Sequence, residues 1–147
     1  MTPSIDWLGQ ALVQESRLAI PLYQDAVSAG FPSPAQEDVE RTLDLNTLCI
    51  QHPAATFFVR AQGESMIEAG IFAGDILVVD RALTARHGDI VIARLFGEHT
   101  VKELALRPQV RLVPRHAGWP EIPIPEGADL EILGVVTFVL HALRGAG

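Results

Sequence analysis

Ile76-Leu77-Val78-Val79, Ile90-Val91-Ile92-Ala93 and Thr100-Val101-Lys102 are three short runs rich in β-branched residues, separated by the turn-forming His87-Gly88-Asp89 and Gly97-Glu98. Side chains branched at Cβ lose rotamer freedom in a helix and pack well on a pleated surface, so these runs read as strands. Working outward, Thr56-Phe57-Phe58-Val59-Arg60 precedes them, and Val110-Arg111-Leu112-Val113 and the stretch from Ile132 to Leu140 follow. Gly74-Asp75 and Glu126-Gly127 add further turn signals. Many short strands at close spacing, with little helical periodicity, predict a mainly β domain over residues 56–147, built as a small, strongly bent sheet or barrel.

The start of the chain has a different character. Trp7, Leu8, Leu12, Leu18, Ile20, Leu22 and Tyr23 are scattered without sustained strand alternation, and Pro21 interrupts any long helix. Residues 1–32 are therefore expected to form an extended N-terminal arm that packs on something else. Within it, Ser28-Ala29-Gly30-Phe31-Pro32-Ser33-Pro34 joins a small-residue pair to two prolines, which favours an extended or turning, accessible backbone. A protease needs such a substrate, although ordinary linkers share the composition. Ser33-Pro34-Ala35-Gln36 has an N-cap residue, proline at the first helical position and glutamine three residues after the cap. This predicts a short helix through about Thr42, inside a connector over residues 33–55.

With 147 residues, 48% of them hydrophobic and 20% charged, the chain can build one compact core with an appendage. A formal net charge of -7 repels phosphate backbones, so no direct DNA binding is expected and any nucleic-acid role runs through a partner. The one cysteine, Cys49, excludes an internal disulfide and a multi-cysteine metal site. Its place in Leu48-Cys49-Ile50 reads as a buried structural thiol. Asp6 lies before the first apolar stretch and no lysine or arginine occurs until Arg17, the wrong order for a secretory signal. The apolar run from Ile132 to Leu143, about 12 residues, is too short to span a bilayer. A soluble, cytoplasmic protein is expected.

Two motifs carry chemistry. In Gly63-Glu64-Ser65-Met66 a serine sits in a glycine-flanked turn, where its hydroxyl can reach a surface while backbone N–H groups converge on a developing oxyanion. The expected donors are the N–H groups of Glu64 and Ser65. The motif is not a hydrolase nucleophile elbow, since Ile67 stands where that elbow has its second glycine. In Thr100-Val101-Lys102-Glu103-Leu104, alternation puts Lys102 on one face with Thr100 and Leu104. Alone, Ser65 reads as a turn serine and Lys102 as a solvated strand residue. The five histidines are dispersed without the paired spacing of a metal site. Asp75, Asp80 and Asp89 bracket strands and read as turn residues, and Trp7 and Trp119 as packing anchors.

Taken together, Ile50-Gln51-His52-Pro53-Ala54-Ala55-Thr56, Gly63-Glu64-Ser65-Met66-Ile67, His87-Gly88-Asp89-Ile90-Val91-Ile92-Ala93, Thr100-Val101-Lys102, Ala29-Gly30-Phe31-Pro32-Ser33-Pro34-Ala35 and Gly134-Val135-Val136 resemble the LexA-like self-cleaving Ser-Lys peptidases, most closely their SOS mutagenesis branch. The resemblance runs from about Pro21 to the C-terminus. It implies that Ser65 is the nucleophile, Lys102 the general base and Ala29-Gly30 the scissile bond. Alanine at position 29 replaces the cysteine of the best-known mutagenesis members and matches the Ala-Gly of the LexA repressors. The resemblance further implies a homodimer in the bacterial cytoplasm, activation by the RecA filament on single-stranded DNA, and a cut form that joins a Y-family translesion polymerase subunit of the UmuC-like kind. It implies no cofactor.

Three rivals are weighed against this. A LexA-type repressor needs a DNA-reading module, for which the residues before Gly30 are too few and too poor in basic side chains. A signal-peptidase-like enzyme needs a membrane anchor. A silent interaction module would keep the serine and lysine without cutting.

Overall fold

A computed structural model describes residues 18–23 and 39–145. Strands β1 (Ile20–Tyr23) and β2 (Val39–Leu43) pair antiparallel as a two-stranded sheet, with a register irregularity between Leu22 and Tyr23. Pro21 is tolerated because a two-stranded sheet consists of edge strands only. The helix expected to run through about Thr42 is thereby corrected at its end: Val39 and Thr42 are β-branched and their backbone pairs with β1. Helix α1 lies further on, at Leu45–Cys49. Asp44 starts it, its Oδ1 accepting from Asn46 N–H at 3.2 Å and its Oδ2 from the Thr47 hydroxyl at 3.0 Å. Cys49 ends it and is half-buried rather than buried.

The remaining strands are β3 (Thr56–Arg60), β4 (Ile76–Asp80), β5 (Ile90–Leu95), β6 (Glu98–Ala105), β7 (Arg111–Val113), β8 (Ile122–Pro123) and β9 (Leu130–Leu140). They form one antiparallel sheet in the order β3-β4-β9-β5-β6-β7-β8. The sheet stays open, so of the two expected forms the bent sheet is realised and the closed barrel is not. Its long strand, β9, makes the bend. The first part of β9 pairs with β5 and its second part with β4, with Val135 opposite both Val91 and Asp80. Each pairing carries a register irregularity near this crossing, and such irregularities bend and twist a strand.

Two apolar clusters pack on the opposite faces of β5, one taking Ile92 and the other Val91 and Ala93. Val59, Ala61, Met66, Ile71, Leu77, Val79 and Ile92 form one, and Val91, Ala93, Leu104, Leu112 and Val135 the other. The β5–β6 hairpin fixes the register between β6 and the core. Leu95 faces Glu98, and the two residues between them, Phe96 (φ 48) and Gly97 (φ 83), both take the left-handed conformation that a tight two-residue hairpin needs. That register sets Lys102 opposite Val91. Among the described residues, no helix is long and apolar enough to cross a membrane.

Candidate active site

Ser65 lies on the loop that joins β3 to β4. Strands β3 and β6 are four steps apart in the sheet, which on a flat sheet would separate them by about 19 Å. The bend and the loop together remove that distance.

The loop is closed at its base by Ala61 N–H donating to Asp75 O at 2.8 Å and Gly74 N–H donating to Ala61 O at 2.8 Å. Gly63, at φ 81, supplies the left-handed step that reverses the chain just before the serine, a conformation side chains with a Cβ resist. After the serine, Met66 is driven into the core at 3% exposure, and the 3-10 turn Ile67–Ala69 follows. Ser65 is thus held between a glycine turn and a buried anchor, with its own side chain half-buried.

Lys102 approaches from β6 with 7% exposure. Its Nζ lies 3.0 Å from Ser65 Oγ, 2.6 Å from Thr100 Oγ1 and 3.1 Å from Val101 O. As an ammonium it donates to all three. As a neutral amine it has two N–H groups and a lone pair, so Thr100 and Val101 can take the two donors while the lone pair faces the Ser65 hydroxyl. Burial pushes its pKa below the usual lysine value, because the charged form loses hydration there. No carboxylate pairs with it among the described residues.

The two groups open into a cleft of about 310 Å³ with Val59, Ala61, Met66, Ile71 and Ile92 along its wall and Trp119 beside it. Trp119, expected as a packing anchor, is half exposed and lies near the His116 ring, 6.2 Å between centroids. The N–H groups of Glu64 and Ser65 donate to no acceptor among the described residues. Ser65 and Lys102 are therefore brought together, while Ala29 and Gly30, like Trp7, lie outside the described residues.

Asp75 and Asp80, expected as turn residues, are buried at 3% and 4%. Asp75 Oδ1 meets His141 Nδ1 at 2.6 Å and its Oδ2 accepts from Phe72 N–H at 2.9 Å. Asp80 Oδ2 meets His52 Nδ1 at 2.6 Å and its Oδ1 accepts from Ala82 N–H at 2.8 Å. All three aspartates also serve turns as expected, Asp89 accepting from Arg86 N–H at 2.8 Å much as Asp75 does from Phe72 and Asp80 from Ala82. Sequence reasoning missed these histidine–aspartate pairs, whose members are far apart in the chain. It also missed Thr100 as a partner of Nζ, which alternation had already set on the face of Lys102.

A family profile described as Peptidase S24-like matches residues 21–137. Protein ImpA of Salmonella typhimurium is 54% identical over 124 residues, covering 84% of this chain and 85% of that protein. Protein MucA of Escherichia coli is 49% identical over 123 residues, covering 83% and 84%. LexA repressor 1 of Geobacter sulfurreducens is 37% identical over 139 residues, covering 92% of this chain and 68% of the repressor.

Proposed function

We propose, since this chain belongs to the Peptidase S24-like family and is a UmuD-like, LexA-like peptidase of the SOS response, that it cuts itself at Ala29-Gly30 with Ser65 as nucleophile and Lys102 as general base. The observation that carries this reading is the 3.0 Å approach of a buried, carboxylate-free amine to the serine hydroxyl. A serine hydroxyl is a poor nucleophile near neutrality, and an amine whose charged form is penalised by burial can take its proton.

The chemistry follows in two halves. Lys102 Nζ takes the Ser65 proton as Oγ bonds to the Ala29 carbonyl carbon, and the oxyanion forms within reach of the Glu64 and Ser65 N–H groups. The carbon–nitrogen bond to Gly30 then breaks, and the new amine leaves with the proton from Nζ. Water, deprotonated by Lys102 Nζ, then adds to the acyl carbon, the Oγ–carbon bond breaks as Nζ returns that proton to Ser65 Oγ, and Ala29 leaves as a carboxylic acid that ionises in solvent. Gly30 leaves the approach to the carbonyl unobstructed.

The wider role draws on the kinship. The RecA filament on single-stranded DNA triggers the cut, the protein works as a homodimer in the cytoplasm, and removal of the arm lets it serve a UmuC-like Y-family translesion polymerase. The test is a mass spectrum of the full chain after incubation with a RecA filament or at alkaline pH. A new N-terminus at Gly30 is expected, and an intact chain under both conditions contradicts the reading.

A further inference from the structure

The backbone groups that bracket the turn carrying the Ser65 hydroxyl are both taken by a single residue. Arg115 N–H donates to Ser65 O at 2.7 Å, and Glu68 N–H donates to Arg115 O at 2.8 Å. The Glu68 carboxylate adds a third tie, accepting from Ala117 N–H at 3.0 Å. The position of the serine turn therefore depends on the segment that follows β7.

That segment is in turn fastened by the Arg115 side chain. Its Nε donates to Glu103 Oε1 at 2.8 Å, and a second guanidinium nitrogen reaches both oxygens of the same carboxylate. Glu103 follows Lys102 on β6, so alternation sets it on the opposite face. One strand thus carries the amine on one side and the anchor of the serine turn on the other.

We infer that Glu103 and Arg115 are a positioning pair for self-cleavage, holding Ser65 in register with Lys102; the inference rests on the Ser-Lys reading above. Neither residue touches the reacting atoms. The Arg115 and Glu103 side chains are 45% and 18% exposed, so water still reaches the guanidinium end of the pair and screens part of its contribution to stability. What a two-pronged guanidinium–carboxylate contact does fix is direction as well as distance. Proton transfer is sensitive to both, and a displacement of about 1 Å can cost on the order of a hundredfold in rate. The pair is built to act on rate more than on stability.

The experiment follows self-cleavage of the full chain across a range of pH for the wild type, Glu103→Gln, Arg115→Gln, Arg115→Lys and the swapped double variant Glu103→Arg/Arg115→Glu. Glu103→Gln and Arg115→Gln are expected to cut about tenfold more slowly, with the midpoint of the pH profile unmoved and the melting temperature within about 3 °C. Arg115→Lys keeps the charge without the fork and is expected to stay slow. The swap is expected to recover part of the rate. Single variants that cut as fast as the wild type overturn the inference and leave the Ser-Lys reading standing. A moved pH midpoint with full rate at the plateau also overturns it, because Glu103 would then act on the charge of Lys102. A wild type that yields no product sinks both.

Discussion

The two ends of β4 and the middle of β6 bury ionisable groups in opposite ways. Asp75 and Asp80 are nearly sealed from water, yet each faces a half-exposed histidine at 2.6 Å and a backbone N–H. Lys102 is sealed almost as well, and only neutral oxygens meet it. A buried charge with a partner can stay charged, whereas a buried charge without one gives up its proton more easily. The scaffold thus favours the ionised form of Asp75, and burial in the cleft favours the neutral form of Lys102. On the proposed reading, this contrast is what sets a general base apart from a structural ion pair.

The sharpest way to break the comparison is to remove or fix the charge. Ser65→Ala and Lys102→Ala are expected to lower self-cleavage by at least about a thousandfold, read as loss of the Gly30 N-terminus. Lys102→Arg is expected to be equally inactive at every pH, because a guanidinium stays protonated. Activity in the arginine variant would mean that reach, rather than a neutral amine, is what matters.

Next in size is the scaffold side. Burial works against the Asp75 charge, but the His141 and Phe72 hydrogen bonds and the charge on His141 outweigh it and hold its pKa below the usual carboxylate value. A carboxyl depressed on folding adds stability that is present above its unfolded value of about 3.9 and lost as pH falls through the folded one. Asp75→Asn is therefore expected to cost about 1–3 kcal/mol near neutral pH and to flatten the acid side of the stability profile, measured by denaturant unfolding.

A smaller effect is expected at Thr100. Thr100→Val removes one of the two acceptors that orient the neutral amine, and a rate lower by about tenfold is expected without loss of fold. The smallest concerns stability at alkaline pH. The Lys102 pKa is lowered on folding, so the wild type should gain stability as pH rises from that folded value to about 10.4, and Lys102→Met should lack that gain. Parallel pH profiles for the two proteins would erase the contrast with Asp75.

The sequence made much of this legible because its β signal is local. The run Thr56–Arg60 coincides with a strand, and the runs Ile76–Val79, Ile90–Ala93, Thr100–Lys102 and Ile132–Leu140 each fall inside one. The expected helix reaches too far, through about Thr42, because β2 owes its form to pairing with Ile20–Tyr23, which no window around Val39 contains. The two-residue β8 is too short to have a period. At the site, Ser65 and Lys102 were found as a pair through resemblance, since neither stands out by itself. Glu103 with Arg115, Asp75 with His141 and Asp80 with His52 meet only once neighbouring strands have paired, so spacing along the chain carries no trace of them.

The most direct test is the first-order rate of self-cleavage of the wild-type chain between pH 7 and 10. The account predicts a rate that climbs as Lys102 loses its proton, with a midpoint below the ordinary lysine value of about 10.4. A rate that stays level across that range would contradict it.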